Sequence, residues 1–230
     1  MEIRILQLLE GAKQAKGLTV IIDVFRAFTV APWLIQKGAA HIIPVAGVDT
    51  AFELKQKYPD AILVGERDEK KIPGFDYGNS PTHLMEANLE GKTVIHTTSS
   101  GTQGIVNATQ ANEILTGSFV NADAIVRYIQ QHKPEIVSLV CMGYACMYPT
   151  EEDTLCAHYI ANTLKGEPSP FAEWTENIKQ SSGARFFDES KQSWSPVTDF
   201  HYCMKLNVFD FVLKAEMQKN NIIQLISYPA

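Results

Sequence analysis

With 230 residues, 45% of them hydrophobic, the chain can bury a full core, and its length suits one large α/β domain. A net charge of −6 without a stripe of lysine or arginine excludes the basic footprint that nucleic acid requires, leaving a small solute as the expected partner. No apolar run reaches membrane-spanning length, and Met1-Glu-Ile-Arg-Ile lacks the features of a signal peptide. A cytoplasmic protein is expected, with reduced thiols at Cys141, Cys146, Cys156 and Cys203.

Short apolar, β-branched runs at residues 18–22, 41–44, 61–64, 93–96, 113–115 and 136–141 predict strands. Between them, helices are predicted at 27–37, 50–57, 81–86, 101–108, 121–132 and 151–165, several opened by a Ser, Thr, Asp or Asn cap. Pro32 falls in the first of these and is expected near its first turn, where a missing N–H costs little. Residues 166–196, with Pro168, Pro170 and Ser181-Ser-Gly183, predict a lid or surface segment holding a short helix at 171–180. A final helix at 200–214 and a strand at 222–226 return the chain to the core. Continuous apolar runs suit strands buried on both faces, so the expected fold is α/β, a mostly parallel sheet covered by helices on both faces in α/β/α layers. One domain over residues 1–230 is expected, with room for two sub-lobes meeting at a cleft.

Ligands of open parallel sheets bind beyond the carboxyl ends of the strands, where loops and helix N-termini gather. Three such ends are polar: Asp23-Val-Phe-Arg26, Gly65-Glu66-Arg67-Asp68 and Thr97-Thr-Ser-Ser-Gly-Thr102. A charge at Asp23 is costly unless paired, hydrogen-bonded or metal-bound. It reads as a helix cap, a partner of Arg26, a magnesium ligand or a carboxylate nucleophile. Glu66, Glu152 and Asp153 are the other candidate acids: the pair at the helix start reads as solvated carboxylates favoured by the dipole or, where one of these acids turns inward, as completing a cation site with Asp23. Arg26 and Arg67 offer planar forks for phosphate or sulfonate oxygens, or for a neighbouring acid.

The loop Thr97, Thr98, Ser99, Ser100, Gly101 and Thr102 places four consecutive hydroxyls and a glycine before a helix. It reads as an anion cradle or as a helix cap without a ligand. Lacking the Walker lysine, it does not indicate ATP. Asn79, in the turn-rich Gly74-Phe-Asp-Tyr-Gly-Asn-Ser-Pro81, and Asn121, after Gly117-Ser-Phe-Val, are further candidates for substrate contact. His96 adjoins the hydroxyl loop as an acid, a base or a core residue. Trp174 and Trp194 suit a lid, local core or the interface of a homodimer.

Taken in order, Asp23-Val-Phe-Arg-Ala27, Gly65-Glu-Arg67, the 74–81 loop, Thr97 to Thr102, Gly117 to Asn121 and Glu152-Asp153 resemble the 2-phosphosulfolactate phosphatase family. The resemblance implies a magnesium-dependent phosphatase that converts 2-phospho-3-sulfolactate to 3-sulfolactate and phosphate, a step toward coenzyme M in some archaea. On that reading Asp23 and Arg26 are expected to be catalytic, and Mg²⁺ to be held by Asp23 with Glu66 or Asp153. It also implies substrate binding by Arg67, Asn79, Asn121 and the 97–102 loop. Two departures border this site: Phe28 stands where the family has small residues or threonine, and Ser99-Ser100 replaces Thr-Asn. A bulky Phe28 is expected to reshape the pocket. A non-catalytic small-anion binding protein with the same loops is the alternative.

Overall fold

The runs that lack polar alternation become the central strands. In the computed structural model, which describes residues 1–230, β2 (Gly17–Ile22) and β8 (Ile136–Cys141) are buried over almost their whole length. Successive residues point to opposite faces. Val20 and Ile22 join one core with α6 (Ala122–His132) and α7 (Glu151–Lys165), whereas Ile21 joins a second with α2 (Ala27–Gln36) and α5 (Gly101–Asn107). The same division holds in β3 (His41–Pro44), β4 (Ile62–Arg67) and β6 (Thr93–Thr97). There Ile42, Val64 and Val94 face the second core, while Ile43, Leu63 and Ile95 pack with α3 (Val48–Lys57) in a third. Helices thus cover both faces of a large, mostly parallel sheet.

The ten strands lie in the order β1-β8-β2-β7-β9-β10-β3-β6-β4-β5, where β1 is Glu2–Gln7, β5 Lys70–Lys71, β7 Ala111–Gly117, β9 Phe211–Met217 and β10 Ile223–Pro229. Strands β1, β8, β2 and β7 are parallel, as are β3, β6 and β4. The β9–β10 hairpin joins the two sets by antiparallel pairing at both of its sides. Across a flat sheet, the two parallel sets would present their carboxyl ends to opposite edges. Strand twist of roughly 20–25° per pair, over six steps from β2 to β4, turns one set by roughly 120–150° relative to the other. The second core, holding α2 and α5, lies on one side of the sheet, and residues following β2, at the end of β4 and following β6 line one cleft.

Several boundaries differ from expectation. The last predicted helix, 200–214, is instead α9 (Val197–Cys203) followed by β9. Asn207, at φ +56°, interrupts the helical path, and its N–H donates to Phe119 O. Val212 and Leu213 then enter opposite cores, as strand residues must. Pro32 sits five residues beyond the start of α2, past its first turn. The carbonyl its missing N–H would have used, Phe28 O, instead accepts from the Ser118 hydroxyl at 3.0 Å, which makes an interior proline tolerable. Strand β1, with Ile3 and Ile5 turned inward at the sheet edge, had no counterpart in the predicted elements.

Helix α5 lies unusually close to the sheet because Gly104 carries no side chain there. A Cβ at that position would stand 2.5 Å from Ile21 Cγ2 and 2.6 Å from Met142 Sδ. Gly104→Ala should therefore destabilise by roughly 1–3 kcal/mol, although alanine is the better helix former. A lowered melting temperature in thermal denaturation is the expected result, and a raised one would show that packing does not decide the sign.

Candidate active site

The cleft at the converging strand ends is small and lined by Asp23, Glu66, Asp68, Glu69, Asn79, Ser99, Ser100, Glu152 and Asp153, with Arg26 and Arg185. Asp23 follows β2 directly and is 5% exposed. Its Oδ1 accepts from Ala27 N at 3.1 Å, so it caps the start of α2 while facing the cleft. Glu66 ends β4. Its Oε1 accepts from Ser99 N at 2.7 Å, and its Oε2 accepts from Glu69 N at 3.0 Å. Asp153, in the first turn of α7, accepts from Val24 N and Gly143 N, each at 2.8 Å, and so clasps the ends of β2 and β8 together.

This arrangement revises the reading of the hydroxyl loop. Its amides hold protein carboxylates: Ser99 N is bound to Glu66, and the Gly101 amide faces Asp23. A Cβ on Gly101 would lie 2.9 Å from Asp23 Oδ2 and 2.8 Å from Ala27 Cβ, so glycine is what allows that approach. Thr98 N donates to Thr102 Oγ1 at 2.9 Å and Thr102 N to Thr98 Oγ1 at 3.2 Å, a closed cap within the loop. Thr97 Oγ1 accepts from Arg67 at 3.0 Å. Thr97, Thr98 and Thr102 are all buried away from the cleft, and of the predicted cradle only Ser99 and Ser100 line it. Ser100 Oγ donates to Gly143 O at 2.8 Å.

The arginines are likewise redistributed. Arg67 does not line the cleft, because its terminal nitrogens donate to Glu66 O, Ala46 O and Thr97 Oγ1. Arg26 is 4% exposed. Its Nη1 donates to Asp199 Oδ2 and Trp194 O, each at 2.7 Å, and its Nη2 to Glu69 O at 2.9 Å. The fork expected to receive phosphate is thus filled by the protein. Asp199 Oδ1 also accepts from Ser80 Oγ and Thr82 N, which ties α9 to the start of α4 (Pro81–Leu84). Sequence reasoning missed Asp199 in this role, although acid and arginine are 173 positions apart and only the fold brings them together.

Arg185 was missed as well. It rises from a 3-10 turn within residues 166–196, pairs with Glu69 Oε1 at 3.1 Å and donates to Phe25 O at 3.2 Å. With Trp194 O on Arg26 and Lys70 Nζ over the Trp194 ring, it fastens this segment across the β4–β5 turn. Asn79 lines the cleft, but its Oδ1 is engaged with His96 Nε2 at 3.1 Å. His96 itself is fully buried, and burial lowers its pKa to about 4, so it is a neutral core residue. Asn121 is buried apart from the cleft; it accepts from Ser118 N and donates to Thr116 O, capping the turn before α6. Phe28 is buried in the core below the site and does not shape the cleft.

The buried carboxylates repel one another. Burial raises Asp23 to about 7, with Glu66 and Glu152 adding to the effect against the Ala27 and Gly101 amides. Burial, then Glu152 and Asp23, holds Asp153 well above the usual range. Burial also raises Glu152, with the Arg185 charge opposing, and Glu152 Oε2 has no hydrogen-bond partner. Hard oxygen donors deprived of a countercharge suit a cation such as Mg²⁺. No three acidic, His or Cys side chains stand close enough to share one ion, because separate backbone segments pin Asp23, Glu66 and Asp153. Mg²⁺ typically takes only one or two carboxylates and keeps water in its other positions, so the donor set fits that ion, though not as a three-carboxylate cage.

Comparison with known proteins bears on the same chain. The family model for 2-phosphosulpholactate phosphatase matches residues 4–218. A probable 2-phosphosulfolactate phosphatase of Bacillus subtilis (strain 168) is 35% identical over 202 residues, covering 86% of this chain and 87% of that protein. One of Carboxydothermus hydrogenoformans is 33% identical over 234 residues and 97% of each chain. A third, from Thermoplasma acidophilum, is 32% identical over 163 residues, 71% of this chain and 72% of its own. The carboxylate cleft at the converged strand ends therefore belongs to a member of the 2-phosphosulfolactate phosphatase family.

Proposed function

We propose that this protein is a phosphoric monoester hydrolase that cleaves 2-phospho-3-sulfolactate to 3-sulfolactate and inorganic phosphate, with Mg²⁺ as its cofactor. Family membership supports the reaction and substrate. The observation that carries the cofactor is the charge of the cleft. Asp23, Asp68, Glu66, Glu69, Glu152 and Asp153 line it against two arginines, Arg26 and Arg185, both already in ion pairs. A multiply charged anion is repelled from such a cleft unless a cation enters with it. Asp23 and Glu66 are the residues assigned to hold the ion, with Asp153 bracing the strand ends beside them. When bound, Mg²⁺ supplies positive charge to the phosphoryl oxygens.

The remaining work falls to the chain. Asp23 stands at the floor of the cleft with its orientation fixed by the Ala27 amide. Either it attacks phosphorus directly, forming an aspartyl phosphate as the P–O ester bond breaks and the substrate oxygen leaves with the electron pair and takes a proton from water, after which a second water hydrolyses the aspartyl phosphate to inorganic phosphate; or it takes a proton from a water that attacks phosphorus as the same ester bond breaks. The Asn79 amide nitrogen is assigned to orient the phosphoryl group; the Ser99 hydroxyl already donates to Glu66 Oε2 at 3.2 Å and so braces that acid. Arg26 acts as a positioning residue, holding the 194–199 region and the β4–β5 turn against the strand end. These same pinned carboxylates offer little to a protein that only binds anions, which disfavours the non-catalytic alternative.

Asp23→Asn keeps an oxygen for the Ala27 amide but removes the charge. Turnover, read as phosphate release, should fall by at least 10³-fold, while retained activity on 2-phospho-3-sulfolactate would refute the assignment. A phospho-aspartate trapped by acid quench would identify Asp23 as the attacking group. Because the Asp23 pKa rises from the ordinary 3.8 to about 7, the folded state binds the extra proton, and metal-free stability should fall as pH rises from about 4 to 7, by on the order of a few kcal/mol. Magnesium should therefore raise the melting temperature more at pH 8 than at pH 5; equal shifts, or none, would count against the cation site. Asp199→Asn leaves Arg26 buried without its ion-pair partner and should cost on the order of 3–5 kcal/mol in chemical denaturation. A cost below about 1 kcal/mol would remove Arg26 from its positioning role.

A further inference from the structure

Several donors around the cleft are already committed to the protein. Ser99 N is bound to Glu66, the Gly101 amide faces Asp23, and both terminal nitrogens of Arg26 donate to Asp199 and backbone carbonyls. The Asn79 side chain differs. Its Oδ1 meets His96 Nε2 at 3.1 Å, while its Nδ2 donates to no acceptor of the protein. The backbone around it has little freedom, because Gly65 N donates to Tyr77 O at 3.1 Å on one side and Ser80 Oγ to Asp199 Oδ1 at 2.8 Å on the other. What remains adjustable is the direction of the side-chain amide. Turned over, it would present an acceptor oxygen to the cleft in place of a donor.

His96 decides that direction. It lies on β6, paired with Val64 of β4 and Pro44 of β3, and is fully buried. Burial alone holds its pKa down, with no charged neighbour contributing, so the ring is neutral and carries a single proton. Its Nδ1 is buried without a partner. A proton there would leave a buried N–H orphaned, which is rarer in proteins than an orphaned acceptor. Nε2 could then only accept, from a reversed Asn79. A proton on Nε2 instead lets the ring donate to Asn79 Oδ1, leaves Nδ1 as a bare lone pair, and turns Asn79 Nδ2 to the cleft. This second arrangement also suits the surroundings. A phosphoryl oxygen needs a donor, and an exposed Asn79 Oδ1 would add one more acceptor to a cleft already lined by carboxylates.

Resting on the phosphatase reading above, we infer that His96 is a positioning residue for the reaction: its Nε2–H holds the Asn79 amide with the nitrogen toward the phosphoryl oxygens, and the ring acts neither as acid nor as base. The strand that leads into the hydroxyl loop thus contributes to the site from beneath it, through a side chain that does not itself line the cleft.

A double-mutant cycle on phosphate release from 2-phospho-3-sulfolactate tests this. His96→Leu keeps much of the bulk and removes the donor, and should lower kcat roughly ten- to a hundredfold. His96→Gln, whose amide N–H can reach the same oxygen, should stay within about threefold of the unaltered enzyme. In an Asn79→Ala background, His96→Leu should change kcat by less than about twofold, because the group it acts through is gone. The pH profile of the Leu variant should keep its shape. Thermal denaturation separates folding from positioning; should the Leu variant fail to fold, His96→Asn, whose shorter amide cannot reach Asn79, takes its place beside His96→Gln. Additive effects of the two substitutions, a Gln variant as impaired as the Leu variant, full activity without the donor, or the loss of one limb of the pH profile would each overturn the positioning role. Phosphate release by the unaltered enzyme tests the phosphatase reading separately.

Discussion

Mutual repulsion among buried carboxylates is the constraint around which this molecule is organised. Asp23, Asp153 and Glu152 are each nearly inaccessible, and burying an ionised acid without compensation costs several kcal/mol. The fold offsets part of that cost by aiming backbone N–H groups at the acids: Ala27 at Asp23, Val24 and Gly143 at Asp153, Ser99 and Glu69 at Glu66. These amides come from the first residues after four different strands. Bringing them together requires the sheet to coil until its two oppositely running parallel sets share an edge. Sheet twist, the β9–β10 hairpin that joins the sets, and the glycines that let α5 approach are thus all conditions for one acidic cleft.

Amide donors committed to acids explain why the site differs from a phosphate-binding loop. In such a loop the amides are left free, and the anion comes to them. Here Ser99 N and Gly101 N already face negative charge, so the loop orients acids and its amides are not left open to an anion. Fixed donors hold the acids in place before any ligand arrives. The arrangement lowers the reorganisation needed on binding, at the expense of stability in the empty state.

Much of this was legible from residue order. Parallel strands buried on both faces announce themselves as unbroken apolar runs, so β2, β3 and β8 and the helices between them were read closely. Polar groups at strand ends marked Asp23, Glu66, Ser99 and Ser100, all of which line the cleft. Partnerships between distant residues were not legible. Arg26 and Arg67 have the same chemistry in the sequence, and nothing local says that one meets Asp199 and the other Ala46 and Thr97. Asn121 and Thr102 carry groups equally fit to cap a turn or to hold a ligand, and capping prevailed because they face inward. The first strand of the C-terminal hairpin, β9, was hidden for another reason, whereas the second was read as a strand. The apolar residues of 200–214 suit one helix, and the break depends on Asn207 adopting positive φ.

Phe28 shows how position in the fold, more than size, decides the effect of a substitution. A bulky ring one residue beyond Ala27 is adjacent in sequence to the strand end that carries Asp23, yet helix α2 has already begun there, and the ring turns into the second core. The same turn leaves Phe28 O without the N–H that Pro32 lacks, and Ser118 supplies the replacement from the end of β7. A change that looks like an alteration of the pocket is therefore absorbed by packing and by one hydroxyl. By contrast, Arg185 is 160 positions from Phe25 in sequence but touches its carbonyl across the cleft. A cleft-lining side chain that arrives on a distant segment leaves no mark in the sequence beside Asp23, whose own neighbours are already fixed by the demands of the sheet and its helix.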